Sequence, residues 1–489
     1  MCLGMFMAIL DIQVVITSLS RIDDALDIGA DRMSWVQTSY LIAEIIAIPL
    51  TGFLTRAFTM RRLFAGAIGL FMAASLGCAA AQGFGVLIAF RALQGFAGGL
   101  LIPLVFSGVF LLFPGKGQLL ATSLAGMFAV LAPTLGPFVG GWLTENYSWH
   151  WLFLINIIPG CIAGAAGWRF LPRDDAESGL WRSLDVAALA LIAISLAAFQ
   201  IALKEAPARG WDSLPVILLL GCTVVAGLAF IIATLRSAAP LVHLDLFKDL
   251  NFAGGCALSF ALGLVLYGSV YLLPLFLALV REMGPLQIGS FMLAAGISQL
   301  IATPMAVLLE RRVDARLLAL GGFLAFGLGL YLNAHSTEQT GFDELLWPQV
   351  IRGAAIMLCI LPPTRLALGA LPRERVGDGS SLFNLMRNLG GAVGIALVDT
   401  MIFTRAPIHA ETIVEGIKAN DAALVAKYGV SPADLAEGTD PMALMGVMSD
   451  IEETALVWAT NEAWTALAII AVMAASAILL VRRKVQVET

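Results

Sequence analysis

Three ionisable side chains stand in the middle of apolar stretches: Asp11 in FMAILDIQVVITSLS, Glu44 in SYLIAEIIAIPL and Arg91 in IAFRALQGFAGG. A charge at the centre of a membrane-spanning helix costs about 2.5–3.5 kcal/mol on insertion scales, so such groups mark proton relays, substrate paths or fixed ion pairs. Withdrawal from water raises a carboxylate's pKa and a nearby guanidinium lowers it again. A carboxylate set between those effects can take a proton on one side of a membrane and release it on the other. The plainer reading of Asp11 and Glu44 is a static buried pair that fixes helix register, and Glu44 also fits a cavity that prefers cations.

Helical spacing says what surrounds each group. Gly4, Met7, Val15 and Ser18 share the face of Asp11; Tyr40 and Gln37, one and two turns before Glu44, extend a polar stripe; Gly95 and Gly98 continue the face of Arg91. A glycine face admits a neighbouring helix closely, so Arg91 is expected to point into the protein. Later in the chain, SSLFNLMRNLGGAVG puts Asn384, Arg387, Gly391 and Gly394 on one face. Asp399 follows near the outer end of that helix and is read as interfacial. Arg352 and Arg365 lie near opposite ends of one span and are expected to snorkel to the headgroups.

The stretch LAPTLGPFVGGWL holds Pro133, Gly136, Pro137, Gly140 and Gly141 within one apolar run. Gly136 and Gly140 form a GxxxG face for close packing, while the prolines bend the backbone. Such a helix suits a seal beside a central cavity; without a gating role it is a kinked packing helix.

These residues need long apolar elements to position them. With 489 residues, 59% hydrophobic and 13% charged, and a mean hydropathy of +0.88, the chain reads as an all-α integral membrane protein. A span takes about 20 apolar residues, and fourteen such stretches occur, at roughly 1–20, 33–54, 62–82, 86–110, 119–143, 151–171, 184–203, 213–235, 252–278, 286–308, 316–335, 348–369, 379–403 and 458–481. With both termini cytoplasmic, 17 Lys and Arg fall in inner loops and the tail against 8 in outer loops, as positive-inside topology requires. Met1 opens directly into apolar sequence without the charged start of a signal peptide, so a few natural residues are expected to precede it. The six cysteines are widely spaced in apolar spans and the four histidines are scattered, giving neither a disulfide framework nor a metal site. No basic face suits nucleic acid.

A repeat organises the spans. RALQGFAGGLLIPL and QVIRGAAIMLCILPP echo each other, with Gly95 and Gly353 258 residues apart and Pro114 and Pro372 at the same offset. Transporters are commonly built from such repeats around a midplane site. The offset aligns the fourth span with the twelfth and leaves the seventh and eighth as an insertion. The expected divisions are an N-terminal six-helix half (1–171), an inserted pair with its loops (172–250) and a C-terminal six-helix half (251–489) with a long outer loop over 404–457.

LAPTLGPFVGGWL resembles the antiporter motif of the major facilitator superfamily. LDIQVVITSLSRI (10–22), IAFRALQGFAGG (88–99), WHWLFLINIIPG (149–160), LVHLDLFKDLNF (241–252) and SSLFNLMRNLGGAVG (380–394) resemble, in order, further motifs of its fourteen-helix, EmrB/QacA-type drug:proton antiporters, EmrB-like inner-membrane exporters above all. The resemblance covers essentially the whole chain. It implies two six-helix halves plus the inserted pair, and proton-coupled efflux of hydrophobic drugs or other toxic small molecules across the bacterial inner membrane. Asp11 and Arg91 stand at the positions the resemblance associates with proton coupling. Glu44, part of no shared motif, is read from its place in the span as a coupling or substrate-selecting group, and Gln37, Tyr40, Glu44, Asn156, Asn384 and Arg387 are the candidates for lining the substrate cavity. The loop GFLTRAFTMRR, with Gly52, Arg56, Arg61 and Arg62, departs from the family's inner-gate pattern: Arg56 replaces an aspartate and Thr59 a glycine. The proton gradient would be the energy source, with no cofactor. The partners implied are the substrate, the lipid bilayer and, through the outer loop, a periplasmic adaptor and outer-membrane channel.

A dedicated exporter of one metabolite, such as a siderophore or fatty acid, is the alternative. An enzyme would need a nucleophile–base pair or metal ligands at helical spacing, a channel would need polar faces on many spans, and an ATP-driven pump would need a phosphate-binding glycine loop. None of these patterns occurs.

Overall fold

The protein, described here from a computed structural model, is defined over residues 1–16, 18–28, 30–113, 116–173, 185–237, 240–310, 312–430 and 441–478. Fourteen helices carry the architecture: α1 (Cys2–Ile16), α2 (Trp35–Phe58), α3 (Met60–Ala79), α4 (Phe84–Leu112), α5 (Lys116–Asn146), α6 (Ile157–Phe170), α7 (Val186–Arg209), α8 (Leu214–Arg236), α9 (Leu250–Leu279), α10 (Pro285–Glu310), α11 (Ala315–Asn333), α12 (Phe342–Leu368), α13 (Val376–Lys418) and α14 (Pro441–Ala477). Among the described residues thirteen spans are long and apolar enough to cross a membrane, α6 counting together with the short helix and turn before it as Trp151–Phe170, and α1 is a shorter apolar helix. Closed helices satisfy every backbone N–H and C=O within the segment, which a hydrocarbon core demands. The chain is a multi-pass membrane protein.

The packing repeats as the sequence does. In the first half α2 packs on α4, α3 on α4, α1 on α5 and α3 on α6; in the second, α10 packs on α12, α11 on α12, α9 on α13 and α11 on α14. Gly95 and Gly353 show why the repeat keeps glycine. A Cβ on Gly95 would run into the carbonyl of Tyr40 on α2, and one on Gly353 into the carbonyl of Ala295 on α10. Close helix approach of this kind drives association where no hydrophobic effect separates helix from lipid. The other landmark, Pro114, lies outside the described residues, as do Arg182, Arg311 and the basic tail 482–484.

Two equivalent contacts join the halves: α2 against α13, and α5 against α10. The α7–α8 pair lies along the first seam, with α7 touching both α2 and α13, and α8 turns Leu218, Val225 and Leu235 outward.

The long outer segment 404–457 is helical over most of its described residues: α13 runs unbroken to Lys418, Ala422–Tyr428 forms a short helix, and α14 starts at Pro441. At about 1.5 Å per residue, the 43-residue α13 is roughly twice as long as a ~30 Å hydrocarbon core. The overhanging parts share a small core of Ile413, Ile417, Ile451 and Ala455, capped by Leu424 and Val425. Residues 431–440 lie outside the described set.

Candidate functional site

Asp11 is completely buried, and so are the groups around it. Arg91 Nη1 donates to Asp11 Oδ2. Gln94 Nε2 and Asn156 Nδ2 donate to Oδ1 at 2.8 and 2.7 Å. Arg91 also donates to Gln94 Oε1 at 2.7 Å and, through Nε, to the carbonyl of Val36 at 3.1 Å. Gln94 further bonds Ser75 at 2.8 Å. The Tyr40 ring lies under the guanidinium at 4.5 Å, and its hydroxyl donates to the carbonyl of Ala8 at 2.9 Å. Five elements thus converge on the cluster: α1 supplies the carboxylate, α4 and the turn before α6 bond it directly, and α2 and α3 hold Arg91 and Gln94. A buried ion pair is costly unless its remaining donors and lone pairs are also met. Gln94 serves both partners, accepting from Arg91 and donating to Asp11, while Arg91 Nη2 has no hydrogen-bond partner among the described residues.

Gln94 and Ser75 were not singled out as site residues. Neutral polar side chains on a long apolar helix carry little signal; the one available was Gln94 lying one turn after Arg91. Tyr40 and Asn156, expected in the substrate cavity, instead join the Asp11 cluster and line neither cavity described below. Gln37 is half-buried and also lies outside both.

Between the halves lies a narrow cavity. Ile9, Ile102 and Val130 form its wall in the first half, and Leu262, Tyr267 and Ile360 face them from the second, with Asn384, Arg387 and Asn388 of α13. Arg387 is only 6% exposed. Among the described residues its Nε and Nη2 have no hydrogen-bond partner, and its guanidinium faces the rings of Phe106 and Phe383 at 5.3 and 5.2 Å. An adjoining pocket contains Glu44, Gln200 of α7 and Gly391, and shares Tyr267 and Asn388 with the first. Among the described residues no hydrogen bond or ion pair is made by Glu44.

The motif LAPTLGPFVGGWL lies on the seam. Pro133, Gly136, Pro137, Gly140 and Gly141 are all buried within a continuous α5. Gly136 rests on Gln13 of α1. On the opposite side, the Phe138 backbone abuts Gly289 and Thr134 meets Gly296 of α10. The helix is therefore clamped between the two halves, and Thr144 near its end meets Ser18 at 2.5 Å.

The loop joining α2 to α3 is built differently from the family pattern, yet it holds. Arg56 Nη1 pairs with Asp378 Oδ2 of α13 at 2.6 Å. Gly52 N–H donates to Ser381 at 3.1 Å, and Ser380 donates to the carbonyl of Pro103 at 2.9 Å. A Cβ on Gly52 would collide with Asp378. Thr59 sits at φ +72°, where glycine would be unstrained, and its hydroxyl accepts the N–H of Arg62 at 3.4 Å. Arg61 stacks over Trp168 at 4.3 Å, and Arg62 is exposed. The segment after α8 reaches the same place: His243 lies 3.7 Å from Asp378 and 3.6 Å from Asp245, which pairs with Arg375 at 3.2 Å. Phe138 against Gly289 closes the α5–α10 seam, so the halves touch along both seams.

Asp399 accepts a hydrogen bond from Tyr271 at 2.8 Å, a structural tie. Arg352 does not snorkel, contrary to expectation. It is 3% exposed, with its guanidinium 5.9 and 5.7 Å from the rings of Phe326 and Trp464, because its position on α12 faces α11 and α14 rather than lipid. Arg365 is half exposed and pairs with Glu310 at 3.2 Å.

The sequence matches the family model of the Major Facilitator Superfamily over residues 1–395. It is 37% identical over 476 residues to the colistin resistance protein EmrB of Acinetobacter baumannii, covering 96% of this chain and 93% of that one. It is 32% identical over 418 residues to the multidrug export protein EmrB of Escherichia coli, covering 85% and 81%. The fatty acid resistance protein FarB of Neisseria gonorrhoeae is 32% identical over 426 residues, covering 86% and 83%. In fold, the crystal structure of the human organic anion transporter MFSD10 (TETRAN) superposes with a TM-score of 0.59 at 12% identity, over 97% of each chain.

Proposed function

We propose, from the fact that this chain belongs to the major facilitator superfamily, that it exports hydrophobic drugs or other toxic small molecules in exchange for protons. It is a membrane transporter rather than an enzyme. The relatives named for multidrug export and for colistin resistance support that reading, and FarB keeps a fatty acid in view as one cargo. The seat we assign is the bacterial inner membrane, with the α2–α3 loop and both termini cytoplasmic.

One observation carries the coupling: a buried carboxylate, Asp11, meets a single guanidinium, Arg91, where five elements of the first half converge. A proton arriving on Asp11 cancels the attraction and leaves Arg91 to Gln94 and the Val36 carbonyl, so the cluster has two charge states that can favour two arrangements of α1, α2 and α4. Loading from outside and release inside would bias rocking of the halves about the α2–α13 and α5–α10 seams, the rigid-body route of alternating access. Glu44, beside the cavity and unpaired among the described residues, stands where cargo and protons can both reach it. The overhang of α13 and α14 offers a surface for a periplasmic adaptor.

The test is gradient-driven movement in proteoliposomes of the purified chain, using a panel with a lipophilic cation (ethidium), a neutral dye and an amphipathic carboxylate. Export of at least one compound that collapses with the pH gradient is expected. Movement of none, by folded protein, overturns the reading.

A further inference from the structure

The geometry points to an amphipathic carboxylate as the preferred cargo, with Arg387 as the residue that holds its charged end. This deepens the export reading and rests on it. Arg387 is buried in the wall between the halves with two nitrogens unpartnered, and among the described residues no carboxylate pairs with it. A guanidinium keeps its charge at any physiological pH, whereas a carboxyl such as Glu44 can shed its own by taking a proton. The charge that persists in this cavity, and that a ligand must meet, is therefore positive.

The surroundings fit a carboxylate on an apolar body. Nε and Nη2 are adjacent donors on one edge of the fork, the geometry that takes both oxygens of a carboxylate. Phe106 and Phe383 lie beside the guanidinium and give it apolar neighbours. Asn384 leaves its Oδ1 unpartnered on the same wall. The opposite wall, from Ile9 to Val130, carries no charge. Arg387 differs from the two other buried guanidiniums: Arg91 already pairs with Asp11, and Arg352, also with unpartnered nitrogens, does not line the cavity, whereas Arg387 does and has no carboxylate partner among the described residues.

The experiment compares binding of dansyl-labelled undecanoic acid with that of its primary amide to the purified full chain, without a gradient, by dansyl fluorescence. The wild type should bind the acid about tenfold or more tightly than the amide, the range for a hydrogen bond to a charged group. That ratio should fall to about one in Arg387→Gln and be partly kept in Arg387→Lys. Equal binding of acid and amide by the wild type overturns the inference without any variant having to fold. An unchanged ratio in Arg387→Gln, or tighter binding of ethidium than of the acid, also overturns it, the latter in favour of cation capture at Glu44. Acid selectivity without gradient-driven movement of any compound would overturn the export reading and leave Arg387 as an anion site. Gradient-driven export without acid selectivity would do the reverse.

Discussion

Arg56 of α2 and Asp378 of α13 meet at 2.6 Å across the seam between the halves, with Asp378 almost wholly buried. The closure therefore depends on charges whose signs are fixed by position, not on the residues the family pattern prescribes. Placing Glu at 56 sets two carboxylates face to face, which is strongly unfavourable in a partly buried contact. Labelling of a cysteine introduced at Ser381, on a background lacking the native cysteines, should speed up by about tenfold or more, since about 1.4 kcal/mol already gives that factor. Exchanging the pair, Arg56→Asp with Asp378→Arg, should restore slow labelling. No rescue would assign the closure to the Gly52 and Ser380 contacts instead.

In the Asp11 cluster, Asp11→Asn should abolish gradient-driven export while protein levels stay near normal, because Arg91 keeps Gln94 and the Val36 carbonyl as acceptors. Gln94→Leu removes two donor bonds, to Asp11 and Ser75, and should destabilise the protein by about 1–3 kcal/mol. Thermal unfolding in detergent beside transport assays separates the two effects.

At α5, Gly136→Leu forces a side chain into Gln13 of α1. Overpacking of that kind costs typically 1–3 kcal/mol, so a lower melting temperature is expected. Gly140→Leu, equally buried, should loosen the seal and raise passive dye leak. A variant with unchanged melting and leak would remove α5 from the sealing role.

Outside the membrane, the overhang is tied down by Glu338, which accepts from Lys427 Nζ and Thr454 Oγ1, both at 2.8 Å. Burial alone would push this carboxyl up, but the Lys427 hydrogen bond, its own backbone bond, Thr454 and the Lys427 charge hold it below its ordinary value. A lowered carboxyl stabilises above its unfolded pKa, and that contribution disappears as pH falls through the folded value. Hydrogen exchange in Ala422–Tyr428, corrected for intrinsic rate, should rise below about pH 4. Glu338→Gln should flatten that dependence; an identical pH profile in the variant would contradict it.

How far the sequence alone reaches depends on the kind of signal each residue leaves. Asp11 and Arg91 stand out because a charge in an apolar span is rare, and the apolar runs themselves mark the helices. Asp378 and His243 are invisible as partners of the α2–α3 loop, since their meeting is set by packing of chain segments hundreds of residues apart. Hydropathy marks the end of the span near 403, where Glu411, Glu415 and Lys418 follow, but not that α13 continues unbroken to Lys418, since helix formation needs no lipid. The place of Arg352 near a helix end suggests the headgroups, but the face it occupies, between Phe326 and Trp464, is decided by how α11, α12 and α14 pack.

The most direct test of the account is proton movement driven by cargo. Proteoliposomes loaded with an exported compound and an internal pH-sensitive dye should show proton flow opposite to the cargo with the wild type, and none with Asp11→Asn, although the variant still exchanges labelled for unlabelled cargo. Equal proton flow in wild type and Asp11→Asn would contradict the claim that this carboxylate couples export to the gradient.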